Sequence, residues 1–241
     1  MRLGDNALVL AQRLCAWIAH APVMEEDVAL ANVSLDLFGQ ARLWLGYAGE
    51  LEGAGRDEDH FAFHRAASGF RNVLLVERPN GDFAATTVRG YFFDLWSYLA
   101  LGELARSRDE RIAAIAGKTR KETAYHLRRS EDWLIRLGDG TPESHARTQH
   151  AVNDLWRYTG EPFLRDEIDA AMLDAGVGFD PATLLDPWNE RVRSAFSAAT
   201  LAIPSDPWMQ RGGKSGLHTE QLSYLLAEMQ ALPRSMPEAA W

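Results

Sequence analysis

The chain has 241 residues, a net charge of −9 and a single cysteine, Cys15. Lysine and arginine are not in excess, which argues against a nucleic-acid-binding protein. One cysteine excludes a disulfide framework and a cysteine-rich metal site, and it suits a reducing compartment. No segment reaches about 18 uncharged apolar residues and the N-terminus lacks the pattern of a secretory signal, so we expect a cytoplasmic protein.

Glycine and proline divide the chain into segments with the periodicity of helices. Between the second and third helices lies an irregular stretch, in which residues 73–76 form the only strand-like run. The helices are predicted, in chain order, at about residues 6–20, 27–51, 82–107, 108–137, 141–160, 164–173, 186–202 and 217–232.

This order of elements predicts an all-α protein. Long helices joined by short connections are typical of a helix bundle, here with additional C-terminal helices. The sequence shows no internal repeat, low-complexity tract or obvious linker. We therefore expect one domain over residues 1–241.

A bundle of long helices raises the question of a carboxylate-bridged di-metal site. Such a site takes a glutamate from each of two helices and a Glu-x-x-His unit from each of the other two. The first predicted helix has no acid. The second has Asp36, but Gly39 stands where the histidine is needed.

The third and fourth helices also match this template only in part. The third supplies Asp94 within an apolar run. The fourth supplies His126, but Thr123 stands where the glutamate is needed and Glu122 is displaced by one residue. This degenerate set carries too little negative charge for two metal ions.

The alternative interpretation of these residues is a buried polar core. An isolated buried carboxylate is costly, so we expect Asp94 either to be protonated or to have a partner. Arg42, Arg89 and Arg128 are candidate partners.

A glycine-rich segment, RGGKSGLHTE, precedes the last predicted helix. It lacks the spacing of a phosphate-binding loop and does not follow a predicted strand. It is either a connector or a segment at a partner surface or near a polyanionic ligand. The candidate residues are Arg211, Gly212, Gly213, Lys214, His218 and Glu220.

Several long segments together resemble a known family. They are RLGDNALVLAQRL, DVALANVSLDLFGQAR, LLVERPNGDFAATTVRGYFFDLW, KETAYHLRRSEDWLIRLGDGT and GGKSGLHTEQLSYLLAEMQ. In this order they resemble the structural-subunit family of the bacterial phenylacetyl-CoA epoxidases, also called ring-1,2-phenylacetyl-CoA monooxygenases. The resemblance covers nearly the whole chain.

The resemblance implies a ferritin-like bundle and a structural role beside a related catalytic subunit. In that family the catalytic subunit holds the di-iron centre, and a reductase with FAD and a 2Fe-2S cluster delivers electrons from NADPH. The assembly uses O₂ to epoxidise the ring of phenylacetyl-CoA in phenylacetate breakdown. For this chain it implies no cofactor, no catalytic residue, and partnership with the catalytic subunit, the reductase and the other components.

Two other functions stay open at this point. One is a self-sufficient di-metal oxidase or ferroxidase that uses Asp36, Asp94, Glu122 and His126, for which about two ions per chain are needed. The other is a homodimeric helical binding protein without an oxygenase partner. A chain purified alone could also self-associate through the face meant for the catalytic subunit.

Overall fold

The computed structural model describes residues 1–206 and 208–236. Within these residues the fold is all-helical, with ten α-helices, short 3₁₀ turns and no β-strand. The α-helices are α1 (Arg2–Cys15), α2 (Met24–Glu52), α3 (Glu58–Phe63), α4 (Phe83–Leu104), α5 (Glu110–Gly138), α6 (Pro142–Trp156), α7 (Glu167–Asp174), α8 (Leu185–Ala198), α9 (Glu220–Met229) and α10 (Ala231–Ser235). No helix among them combines the length and the apolar character needed to cross a membrane.

The contacts divide the chain into two compact units, Met1–Asn80 with Arg211–Trp241, and Gly81–Gln210. In the first unit α1 packs along α2, and α9 packs on α1. Helices from the N-terminal and C-terminal parts of the described chain therefore contribute to one core. The expectation of a single domain over residues 1–241 stays a prediction.

The first helix differs from its predicted bounds. It begins at Arg2 instead of near residue 6, so it does contain an acid, Asp5, whose side chain is completely buried. The Asp5 carboxylate accepts a hydrogen bond from the Arg71 backbone N–H at 2.8 Å and pairs with the Arg65 guanidinium. Asp5 is engaged in this tertiary ion pair, which local sequence patterns do not report.

In the second unit, α4 packs against α5 and α6. In this unit, α4, α5 and α6 begin within two residues of their predicted starts. Asp82 caps α4, since its carboxylate accepts the Ala85 N–H at 2.9 Å, and Asp109 caps α5 in the same way. Thr141 and Ser144 form a capping box at the start of α6. These caps satisfy N–H groups that would otherwise lack partners.

An aromatic cluster fills the space between α4, α6 and α8. Phe92 lies 5.8 Å from Trp156, 5.7 Å from Trp188 and 6.1 Å from Phe196, measured between ring centroids. Tilted and edge-on aromatic contacts of this kind stabilise a core beyond simple burial. The cluster holds α4 in position, and therefore also the neighbouring residue Asp94.

Two further segments differ in detail from what their sequence suggests. The strand-like run at residues 73–76 falls mostly in a 3₁₀ turn, Leu74–Glu77, and is buried. The last predicted helix, 217–232, begins only at Glu220 and is divided into α9 and α10. His218 and Thr219 are held by a distant carboxylate instead of joining the helix.

Candidate functional site

Asp94 lies on α4 in the buried centre of the second unit, with only 5% of its surface exposed. The Ser130 hydroxyl on α5 donates a hydrogen bond to its Oδ2 at 2.9 Å. His126 and Arg129, also on α5, act on it electrostatically. Asp94 and His126, two of the four predicted site residues, are therefore brought together.

Burial raises the pKa of Asp94 from 3.8 to about 6. The electrostatic effect of His126, the hydrogen bond from Ser130 and the Arg129 guanidinium all oppose this rise in the pKa of Asp94. Removal from water thus outweighs three stabilising neighbours. We expected Asp94 either to be protonated or to have a partner, with three arginines as candidates. Of these, Arg128 is exposed, Arg42 pairs with Glu58 at 2.9 Å, and Arg89 is buried on the same helix as Asp94.

The other two predicted site residues are placed differently. Glu122 is half-buried on α5, one turn before His126. Asp36 is half-buried on α2 in the first unit. Gly39 is exposed, and a β-carbon at this position would have no atom within 4 Å apart from its chain neighbours and its own helix backbone.

The donor set in the second unit does not fit a di-metal centre. Its buried part offers one carboxylate and one imidazole, and the Arg129 cation lies beside them. In the described part of the chain, no group of three or more His, Cys, Asp or Glu side chains is arranged to hold a metal ion. A di-metal site needs several carboxylates to balance the charge of its ions.

A second polar centre joins the glycine-rich segment to the rest of the first unit. Its middle is Glu77, whose side chain is fully buried. Oε2 of Glu77 lies 2.9 Å from Nδ1 of His218, and Oε1 accepts the Thr219 backbone N–H at 2.7 Å. The Asn72 amide donates to Oε2 at 3.1 Å. Three groups therefore converge on one buried carboxylate.

The His218 ring is held on both sides. Its Nε2 lies 3.1 Å from the Phe70 carbonyl oxygen, while Nδ1 faces the Glu77 carboxylate. Because the Phe70 carbonyl and an ionised Glu77 are both acceptors, the ring donates to both of them as the doubly protonated imidazolium. We conclude that His218 and Glu77 form a buried, charge-assisted pair.

Two glycines allow the segment to approach the rest of the unit. A β-carbon on Gly213 would lie 2.1 Å from the Asn72 carbonyl oxygen. Gly216 has a φ of +87° and lies against the Ser68 carbonyl and the Arg71 guanidinium. Only glycine fits such contacts and such a backbone. The glycines thus serve close packing, and nothing in their geometry requires a phosphate.

The predicted segment divides by exposure into anchoring and outward-facing residues. Gly213 and the His218 side chain are buried, and Lys214 is half-buried with polar interactions. Arg211 and Glu220 are exposed, as is Leu217, with 71% of its surface accessible.

Sequence reasoning missed the residues that organise both centres. Glu77 follows a buried apolar run, LLV, and that position was a usable signal for a buried acid. Ser130 and Arg129 were missed because the template looks only for metal ligands.

The outward face of α2 is almost free of charge in its first half. At helical spacing it exposes Met24, Val28, Asn32, Leu35 and Gly39. Met24, Val28 and Leu35 expose 75%, 55% and 65% of their surface. Exposed apolar side chains repeated along one helix face are typical of an interaction surface.

Comparison with known proteins adds two findings. A family model described as phenylacetic acid catabolic protein matches residues 1–241. The chain is also 52% identical over 241 residues to the C subunit of the 1,2-phenylacetyl-CoA epoxidase of Escherichia coli (strain K12), and the match covers all of this chain and 97% of that relative.

Proposed function

Because the chain belongs to the phenylacetic acid catabolic protein family, whose fold is ferritin-like, we propose that it is the structural subunit of a phenylacetyl-CoA epoxidase. In this role it stabilises the catalytic subunit of a multicomponent di-iron monooxygenase of phenylacetate catabolism. The identity of 52% along the whole chain to one component of such an epoxidase carries the proposal. We place the assembly in the cytoplasm.

The proposal assigns the oxygen chemistry to the catalytic subunit. The polar centre around Asp94 supports this division, because one buried carboxylate, one imidazole and a nearby arginine suit a hydrogen-bonded core better than two metal ions. In this proposal the chain itself carries no cofactor, di-iron belongs to the catalytic subunit, and FAD and the 2Fe-2S cluster belong to the reductase.

The α2 face supports a permanent contact with the catalytic subunit. The cores of stable interfaces are depleted of charge and rich in apolar side chains. Met24, Val28 and Leu35 give such a stripe over about three turns of helix. We assign this stripe to the interface with the catalytic subunit.

The outward part of the glycine-rich segment is proposed as a second contact with the same partner. The buried Glu77–His218 pair holds the loop in one conformation, which presents Leu217 outward. A fixed loop loses little conformational entropy on binding. Because His218 is buried, replacing it would disturb the loop itself, so Leu217 is the sharper probe of an interface.

The test is metal analysis and phenylacetyl-CoA turnover for this chain by itself, for the catalytic subunit by itself and for the pair. We expect the lone chain to be iron-free and inactive and the pair to hold iron and turn over. Binding of about two irons by the lone chain, with O₂ consumption, would establish the oxidase alternative instead.

The interface assignment is tested in the same preparation with Leu35→Asp and Leu217→Asp. Each should weaken co-purification with the catalytic subunit by at least tenfold, since a charge is then buried in an apolar contact. Ile168→Asp is the matched control, because Ile168 is 55% exposed on α7, outside both surfaces. Equal recovery of all three variants with the catalytic subunit would show that neither surface belongs to the interface.

A further inference from the structure

The outward face of α5 is a stripe of cations on an otherwise acidic chain. The helix carries seven lysines and arginines against four acids, although the whole chain has a net charge of −9. The exposed residues recur every three or four positions, so they lie on one face. This face, the α5 stripe, consists of Arg111, Ala114, Lys118, Lys121, Tyr125, Arg128, Asp132 and Arg136.

The stripe is long and its middle is open to solvent. From Arg111 to Arg136 it extends roughly 38 Å at the rise of an α-helix. Tyr125, with 45% of its surface exposed, lies between Lys121 and Arg128. An exposed aromatic ring among cations is the composition of a protein-binding anchor.

The geometry and charge of the stripe favour one class of ligand over the others. Small molecules bind in clefts, whereas one outward helix face is convex. A membrane-surface helix needs a free apolar face, and the apolar face of α5, which includes Ile112, Ile115 and Leu134, is buried in the core. Nucleic acid is disfavoured because the remainder of the chain is strongly acidic. An acidic protein face matches both the length and the sign of the charge.

We propose that the α5 stripe is a transient docking surface for a protein with an acidic face, distinct from the catalytic subunit. The inference rests on the proposed function, since it concerns another component of the same oxygenase. Complementary charge mainly speeds encounter and fixes orientation, which suits partners that bind and leave. The uncharged α2 face, in contrast, suits a partner that stays.

The test uses the assembled pair of this chain and the catalytic subunit, with the lone chain in parallel. Each remaining purified component of the oxygenase is added at 20 mM and at 300 mM NaCl, and association and dissociation rates are measured. The variant is Lys118→Glu/Lys121→Glu/Arg128→Glu. The matched control, with the same change in charge, is Arg106→Glu/Arg165→Glu/Arg193→Glu, three exposed arginines outside α5.

We expect one component of acidic net charge to associate with the pair. Its association rate should fall at least tenfold from low to high salt. With the α5 variant, the association rate at low salt should be at least tenfold lower than with the parent. The control should stay within about twofold of the parent. Tyr125→Ala should raise the dissociation rate about tenfold and leave association nearly unchanged.

Three results would overturn the inference. Either no component binds through the stripe, or the α5 variant no longer binds the catalytic subunit itself, or 1 mM coenzyme A binds the parent and fails to bind the variant. The last result would make the stripe a site for a small polyanion. Failure of the pair to form or turn over would count against the proposed function only, because the lone chain still reports on the stripe.

Discussion

Two of the buried carboxylates, Glu77 in the first unit and Asp94 in the second, have different surroundings. Glu77 receives hydrogen bonds from the Thr219 backbone and the Asn72 amide and pairs with His218. Asp94 accepts a hydrogen bond from Ser130, and burial still raises its pKa to about 6. The number and charge of the donors decide how a buried acid is stabilised.

The difference also bears on function. Glu77 and His218 lie 141 positions apart in the chain, so their pairing holds the C-terminal part of the first unit in place. Asp94 joins two neighbouring helices, α4 and α5. The first centre is therefore a structural clasp, and the second is a polar core that is sensitive to pH.

The largest effect is expected from Glu77→Ala. Removing one partner of a buried pair leaves the other charge uncompensated, at a cost of about 3–5 kcal/mol. Thr219 and Asn72 would lose an acceptor as well. Urea unfolding at pH 7 should show this loss in the free energy of unfolding.

Glu58→Ala is the control for that measurement. Glu58 also forms an ion pair, but its partner Arg42 has 78% of its side chain exposed. Exposed pairs contribute about 0–1 kcal/mol, so the control should stay near the parent. Equal effects of the two substitutions would refute the clasp.

Asp94→Asn should produce the next largest effect, and it should depend on pH. The folded pKa of Asp94, about 6, lies above the ordinary value of 3.8, so the folded state binds the proton more tightly than the unfolded state. The stabilisation is complete below about pH 4 and is lost as the pH rises through 6. The difference corresponds to about 3 kcal/mol at most.

Thermal or urea unfolding between pH 4 and pH 8 checks this prediction. The parent should lose stability over that range relative to Asp94→Asn, which has no such titration. The variant should therefore be the more stable protein at pH 8. Parallel curves for the two proteins would show that Asp94 is ionised throughout.

The sequence predicted much of this fold and less of its polar centres. Apolar periodicity and breakers placed the long helices α2, α4 and α5 within three residues at each end, because these signals are local. The buried position of Asp94 followed from its apolar neighbours. The strand-like run at 73–76 lies mostly in a buried 3₁₀ turn, because four apolar residues in a row do not distinguish a strand from a buried turn. The all-α prediction is confirmed in the described residues.

The sequence did not predict the contacts between residues that lie far apart in the chain. Asp5 lay outside the predicted first helix, yet it is part of α1 and pairs with Arg65. His218 was predicted to lie in the last helix, yet it precedes α9 and pairs with Glu77. Such pairs depend on tertiary packing, which no local pattern encodes. The placement of Asp36, Asp94, Glu122 and His126 as a set, and the role of Arg211–Glu220 toward a partner, stay predictions.

The smallest of the three effects is expected from Ser130→Ala. The Ser130 hydroxyl donates to the Asp94 carboxylate, so its removal should raise the pKa of Asp94 further. A hydrogen bond to a charged group contributes about 1.5–3 kcal/mol, but this one matters only while Asp94 is ionised. We expect a loss of about 1–2 kcal/mol at pH 8 and little change at pH 4, measured by urea unfolding.

The double variant Ser130→Ala/Asp94→Asn isolates that contribution. If the hydroxyl acts through the charge on Asp94, most of the loss at pH 8 should disappear once residue 94 is neutral. A loss of the same size in both backgrounds would mean that Ser130 acts through packing between α4 and α5. Because the Leu127 carbonyl also accepts from this hydroxyl at 3.2 Å, a small part of the effect should persist.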